Sequence, residues 1–140
     1  MDTSEVAMKL FAIGDMYVAQ KKYSKALRIY DSIYNQFQNH SLNDDILFRK
    51  SQVFKIQQMQ DKAIDALKQL EEEFPGSIIL DKALLSIAKL YEEDLNDFES
   101  AKKYYRKILF DHPSSLYVID ARKRFRKLSG KTNQNINKNS

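Results

Sequence analysis

Residues 10 to 33 read LFAIGDMYVAQKKYSKALRIYDSI, two helical patterns separated by a polar break. Leu10, Ile13, Gly14 and Tyr17 recur at the i, i+3, i+4, i+7 spacing that puts side chains on one face of a helix. Beyond Lys21 and Lys22, Ala26, Tyr30 and Ile33 form a second stripe of the same kind. So short a break makes the two helices antiparallel neighbours. Gly14 and Ala26 carry almost no side chain, so the backbones can approach closely there, with Tyr17 filling the space beside them.

The pattern returns twice. Residues 47–70 read LFRKSQVFKIQQMQDKAIDALKQL, and residues 84–108 read LLSIAKLYEEDLNDFESAKKYYRKI with one extra residue in the middle turn. Leu10, Leu47 and Leu84 open the three units at intervals of 37, and Ala26, Ala63 and Ala101 recur at 37 and 38. Gly14, Ser51 and Ala88 share one position, and Tyr17, Phe54 and Tyr91 another. Self-similarity at a fixed period is the mark of a stacked-repeat protein. The spacing predicts seven helices near residues 4–20, 23–38, 43–57, 60–73, 78–93, 97–110 and 114–128. The fold class is all-α: three helical hairpins (about 5–40, 42–76 and 78–113) and a capping helix (114–128), stacked as a short superhelix within a domain of residues 1–130.

The last helix begins as a fourth unit and stops. After Pro113, Ala121, Phe125 and Leu128 stand at the offsets that Ala83, Ile87 and Leu90 hold after Pro75, on the face that packs backward. On the forward face the third unit has Leu84, Ala88 and Tyr91, whereas the final helix has Arg122, Arg126 and Ser129. A stack must end in a polar outer face, and this is such a cap. Lys131 to Ser140 is polar and asparagine-rich without apolar periodicity, and is expected to be a disordered tail.

Composition agrees with helices. The chain has three glycines, two prolines and no cysteine, which excludes disulfides and thiolate metal sites. No run reaches the ~20 apolar residues that a transmembrane helix needs. The net charge of +4 is uneven: residues 1–114 carry 16 basic and 18 acidic side chains, and residues 115–140 carry seven and one. The N-terminus, MDTSEVAMKLFAIGD, lacks a secretory signal's basic start and cleavage site, so either the protein is cytosolic or a signal lies outside this stretch.

These units resemble the tetratricopeptide repeat family, whose signature pairs a small residue and an aromatic on the first helix with Ala, an aromatic and Pro on the second. Leu10, Ile13, Gly14, Tyr17, Ala26 and Tyr30 carry it in the first unit; Ala63, Leu67, Leu70 and Pro75 in the second; Ala88, Tyr91, Ala101, Tyr105, Ile108 and Pro113 in the third. The tryptophan-type position is leucine throughout, Lys50 replaces an apolar residue, and the first unit ends at Gln38 without proline. The longer repeats, ending in FPGS and HPSS, are similar to those of bacterial envelope proteins of the outer-membrane assembly lipoprotein and cell-division coordinator type. That likeness implies a bacterial origin and a periplasmic or envelope location. Met8, Phe11 and Val18 lie off the hairpin face of the first helix: in an isolated domain they would stay exposed, and in the C-terminal part of a longer array, which is the expectation here, a preceding helix or self-association would cover some of them.

Chemistry is sparse. His40 and His112 sit in turns without a partner at helical spacing, and Asp44–Asp45, Glu71–Glu73 and Glu92–Asp94 read as solvated charge. Gly14, Gly76 and Gly130 are isolated, so no phosphate-binding loop is present. No catalytic residue, cofactor or metal is expected. The resemblance implies a non-catalytic module that binds a peptide or helix of a partner protein along the first helix of each hairpin. Those positions are Met8, Phe11, Asp15 and Val18; Asp45, Phe48, Gln52 and Lys55; Lys82, Leu85, Lys89 and Glu92. Phe11, Phe48 and Leu85 recur at 37 as an apolar ladder that either faces a ligand or packs between hairpins. The basic and asparagine side chains that grip a terminal carboxylate in chaperone-binding members are replaced by Phe11 and Asp15, so a heat-shock-chaperone adaptor is not expected. The alternative reading uses Arg122, Lys123, Arg126 and Lys127, with Arg124, to bind an anionic surface or nucleic acid, although nucleic acid is not the expected partner.

Overall fold

The computed structural model describes residues 2–38 and 40–138, apart from the side chains of 131–138. Among them are seven α-helices and no strand: α1 (Thr3–Ala19), α2 (Tyr23–Gln36), α3 (Asn43–Ile56), α4 (Gln60–Glu73), α5 (Leu80–Lys89), α6 (Phe98–Asp111) and α7 (Val118–Lys138). The chain divides into two compact units, residues 1–70 and 71–140.

In the first unit α1 and α2 form a hairpin around Ala7, Ala26, Tyr30, Ile33 and Phe37, joined by Ile46 and Val53 of α3. The two helices approach closely at Gly14, where an added Cβ would stand 2.6 Å from Cε1 of Tyr30. Ile13, expected inside, is 37% exposed, and Ala7 is buried in its stead. Successive residues point about 100° apart round a helix, so seating Gly14 against Tyr30 turns Ile13 to the flank.

Both hairpin turns of this unit end their first helix alike. Lys21 and Gln58 have φ of 60°. The N–H of Lys22 donates to the Tyr17 carbonyl at 2.8 Å and that of Lys21 to Val18 at 2.9 Å; Met59 to Phe54 and Gln58 to Lys55 repeat both bonds at 2.8 and 2.9 Å. This 6→1 and 5→2 pair satisfies carbonyls that a helix end otherwise orphans. Where the later units use proline, the first turns the chain with side chains. Asn43 Nδ2 donates to the Phe37 carbonyl at 3.0 Å, and His40 Nδ1 accepts from the Leu42 N–H at 3.1 Å. His40 is therefore half-buried and bonded rather than a bare turn residue.

In the second unit the extra residue of the third repeat is absorbed by a π-helical turn, Leu90–Asp94, that continues α5. A π turn is the usual way for one inserted residue to sit inside a helix. The N–H of Leu95 donates to the Leu90 carbonyl at 3.1 Å and that of Asp97 to Tyr91 at 2.8 Å, with Asn96 at φ 52°. Asp97 then caps α6, accepting from Ser100 N–H at 3.1 Å and Ser100 Oγ at 2.7 Å. The turns after Pro75 and Pro113 are built alike: Ser77 Oγ accepts from the Ile79 N–H at 3.2 Å, and Ser115 Oγ from the Tyr117 N–H at 3.0 Å. These bonds occupy residues assigned to helix by their apolar spacing, so α5 and α7 begin later than expected, at Leu80 and Val118.

α7 packs on α6. Ala121 and Leu128 are fully buried, while Phe125 is only half-buried, its ring 5.4 Å beneath the Arg106 guanidinium. The helix continues past the expected boundary at 128 to Lys138. Once nucleated, a helix gains one hydrogen bond per added residue, and no proline stands between 129 and 138 to stop it. The tail expected from 131 therefore has helical backbone as far as Lys138, and 139–140 lie outside the described residues.

Candidate functional site

A cleft of about 220 Å³ opens in the first unit, lined by Asp15, Val18, Ala19, Tyr30, Arg49, Gln52 and Val53. α1 brings Asp15, Val18 and Ala19 to it at successive helical spacings, α2 supplies the Tyr30 ring, and α3 supplies Arg49, Gln52 and Val53. Asp15, on its polar side, is held in place. Tyr30 Oη donates to Asp15 Oδ1 at 2.5 Å, and Arg49 Nη2 lies 3.7 Å from Asp15 Oδ2. The same guanidinium sits 5.3 Å over the Phe11 ring, itself 6.1 Å from Tyr30. Burial first, and then the bond to Asp15, push the Tyr30 phenol well above its ordinary range.

Of the expected groove residues, Asp15, Val18 and Gln52 come together here, with Phe11 at the edge behind Arg49. Met8 is 60% exposed and Lys55 is exposed, and neither lines the cleft. Phe48 and Leu85 are buried, so of the apolar ladder only Phe11 retains a partly open ring. A large apolar side chain once per repeat is needed for packing, which is where these two are spent. Arg49 is the rim residue that sequence reasoning passed over. Its signal was present: Arg49, Ser86 and Arg124 stand at intervals of 37 and 38.

The second unit repeats the motif with different partners. Tyr105 Oη donates to Glu92 Oε1 at 2.7 Å, and Arg124 Nη1 lies 3.3 Å from Glu92 Oε1 and 2.9 Å from Glu93 Oε1. Arg124 Nε adds Asp120 Oδ1 at 3.2 Å, and Lys89 Nζ lies 3.5 Å from Asp120 Oδ2. Burial, followed by the Glu92 bond, raises the Tyr105 phenol in the same way. Glu92, read both as solvated charge and as a groove position, and Lys89, an expected groove position, are thus engaged within the unit, and Arg124 is drawn out of the basic cluster. Arg122, Lys123, Arg126 and Lys127 remain exposed. Among the described residues, no group of acids and histidines is arranged to hold a metal ion, and no helix is long and apolar enough to cross a membrane.

The tetratricopeptide repeat family model matches residues 10–40, 45–77 and 82–115. No curated protein sequence matches the chain. Among solved structures, the Sgt2 TPR domain from Aspergillus fumigatus superposes with a TM-score of 0.67 at 19% identity, over 94% of this chain and 82% of that one. A tetratricopeptide repeat protein from Parabacteroides merdae gives 0.70 at 23% identity, over 89% of this chain and 46% of that one. The TPR2AB domain of yeast Sti1, in complex with pHSP90, gives 0.74 at 17% identity, over 92% of this chain and 50% of that one. The chain spans about half the length of the last two. At these identities the likeness is one of fold.

Proposed function

Because the chain belongs to the tetratricopeptide repeat family, we propose that it is a non-catalytic module binding a segment of a partner protein, with one apolar side chain of that segment seated in the α1–α2–α3 cleft. One observation carries this: the cleft lining combines Val18, Val53 and the Tyr30 ring with the polar side chains of Asp15, Arg49 and Gln52, of which Asp15 is held by the Tyr30 hydroxyl. Concave sites that combine apolar lining with a few placed polar groups fix both affinity and orientation. Asp15, already held by the Tyr30 bond, loses little further freedom on binding.

The Sti1 structure is a complex with pHSP90, but this rim does not favour a terminal carboxylate, because Asp15 presents a like charge. An internal segment with an aliphatic residue, its main chain bonded by Gln52 and Arg49, suits it better. The long FPGS and HPSS repeats are the reason for seeking such a partner in a bacterial envelope.

Filling the cleft tests the proposal. Peptides selected from a random library on the wild-type chain should bind Ala19→Trp at least ~10-fold more weakly, a cost of about 1.4 kcal/mol, with melting temperature unchanged, since Ala19 is exposed. Glu72→Ala, at a residue that does not line the cleft, should bind as wild type. Undiminished binding by Ala19→Trp and by Arg49→Ala would remove the cleft as the site.

A further inference from the structure

We infer that one edge of the second unit docks on an anionic lipid bilayer, its apolar turn tips entering the interface beside the basic outer face of α7. Ile78 and Leu116 hold the same position in successive turns, after Pro75-Gly76-Ser77 and Pro113-Ser114-Ser115. They are 94% and 81% exposed. The two turns lie together, because Ser115 Oγ donates to Asp81 Oδ2 at 2.6 Å and Asp81 opens α5 just beyond Ile78. α7 continues this surface. Ile119 is 66% exposed, and Arg122, Lys123 and Arg126 follow it at i+3, i+4 and i+7, all exposed and on one helical face.

The fold does not need this face, since α7 packs through Ala121 and Leu128. Along α7 itself the basic charge meets little acid: residues 115–140 carry one, Asp120, which is engaged by Arg124 and Lys89. Two features therefore require one partner. Lipid phosphates answer the guanidinium and ammonium groups, and the acyl boundary takes up Ile and Leu that water leaves unsatisfied. The long Arg and Lys stems lie along that boundary while their heads stay among the phosphates. A nucleic acid would pair with the cations equally well but would gain nothing from three aliphatic side chains in water.

Sedimentation of the full chain with vesicles separates these cases. The chain should sediment with phosphatidylcholine vesicles containing about one-third phosphatidylglycerol at low salt, and not with phosphatidylcholine alone. Arg122→Glu with Arg126→Glu should abolish the binding. Leu116→Ser with Ile119→Ser should weaken it about tenfold and leave the melting temperature unchanged, because both side chains are solvent-exposed. Binding to neither vesicle, or equally to both, would overturn the inference. So would serine variants that bind as wild type while duplex DNA competes for the same surface, which would make it a nucleic-acid face.

Discussion

Gly14 shows how one residue sets a hairpin. Tyr30 leans over it because its hydroxyl is tied to the adjacent Asp15, and the ring stands where a Cβ would go. The equivalent position is Ala88 in the third repeat, where Lys89 replaces that aspartate and Tyr105 reaches one turn further, to Glu92. Gly14→Ala gains about 1 kcal/mol in helix propensity and meets an overpacking cost of ~1–3 kcal/mol. A net loss of about 1 kcal/mol in urea denaturation is expected, and it should vanish in a Tyr30→Leu background, which copies the Ser51–Leu67 pairing of the second repeat. Equal losses in both backgrounds would mean that the ring is not the obstacle. Gln58 makes the opposite case. Its φ of 60° crowds a Cβ, at a cost of ~1–2 kcal/mol, against ~0.5–1 kcal/mol for the added chain freedom of glycine. Gln58→Gly should therefore raise the melting temperature, and a fall would show that its side chain contributes more than its backbone costs.

At the scale of the element, α7 separates packing from charge. Its inner face closes through fully buried Leu128, whereas Phe125 lies half-open beneath Arg106. Leu128→Ala should cost about 2–5 kcal/mol. Phe125→Ala should cost less than the ~3–5 kcal/mol typical of a fully buried ring, despite the larger side chain. Arg126→Ala, on the exposed side, should stay within about 0.5 kcal/mol. Denaturation of the three variants under one condition gives the order, and a loss at Arg126 matching that at Leu128 would place another surface over the basic face.

Across the whole molecule, the buried phenols of Tyr30 and Tyr105 link stability to alkaline pH in both units. Each has its pKa raised in the fold, burial being the larger cause and the carboxylate bond the next. A group with a raised folded pKa contributes stability that is complete below its unfolded value, near 10 for tyrosine, and is lost as pH climbs above it. Melting temperature should therefore fall more steeply above about pH 10 in the wild type than in Tyr30→Phe/Tyr105→Phe. The double variant, having lost both carboxylate bonds, should be less stable at neutral pH, and the gap should narrow as pH rises. Parallel curves would show that neither phenol is held in its protonated form by the fold.

Periodicity determined most of the architecture, because burying one stripe per helix leaves little choice of pairing. The repeat at 37, the seven helices, the small residues at Gly14, Ser51 and Ala88, and the inner face of α7 at Ala121 and Leu128 all follow from local spacing. Where the chain spends its side chains was settled only in three dimensions. Phe48 and Leu85 share the periodicity of Phe11, yet they are buried and it remains partly open. Spacing assigns a face; it does not say how much of that face a neighbour covers. Glu92 reads as solvated charge, Lys89 as a groove position and Arg124 as part of the basic cluster, and all three are bonded because residues 31 and 32 apart in sequence meet across packed helices. The cleft is a product of the same kind. Asp15, Tyr30 and Arg49 come from three helices, and the rim exists because Tyr30 is buried deeply enough to need a partner for its hydroxyl.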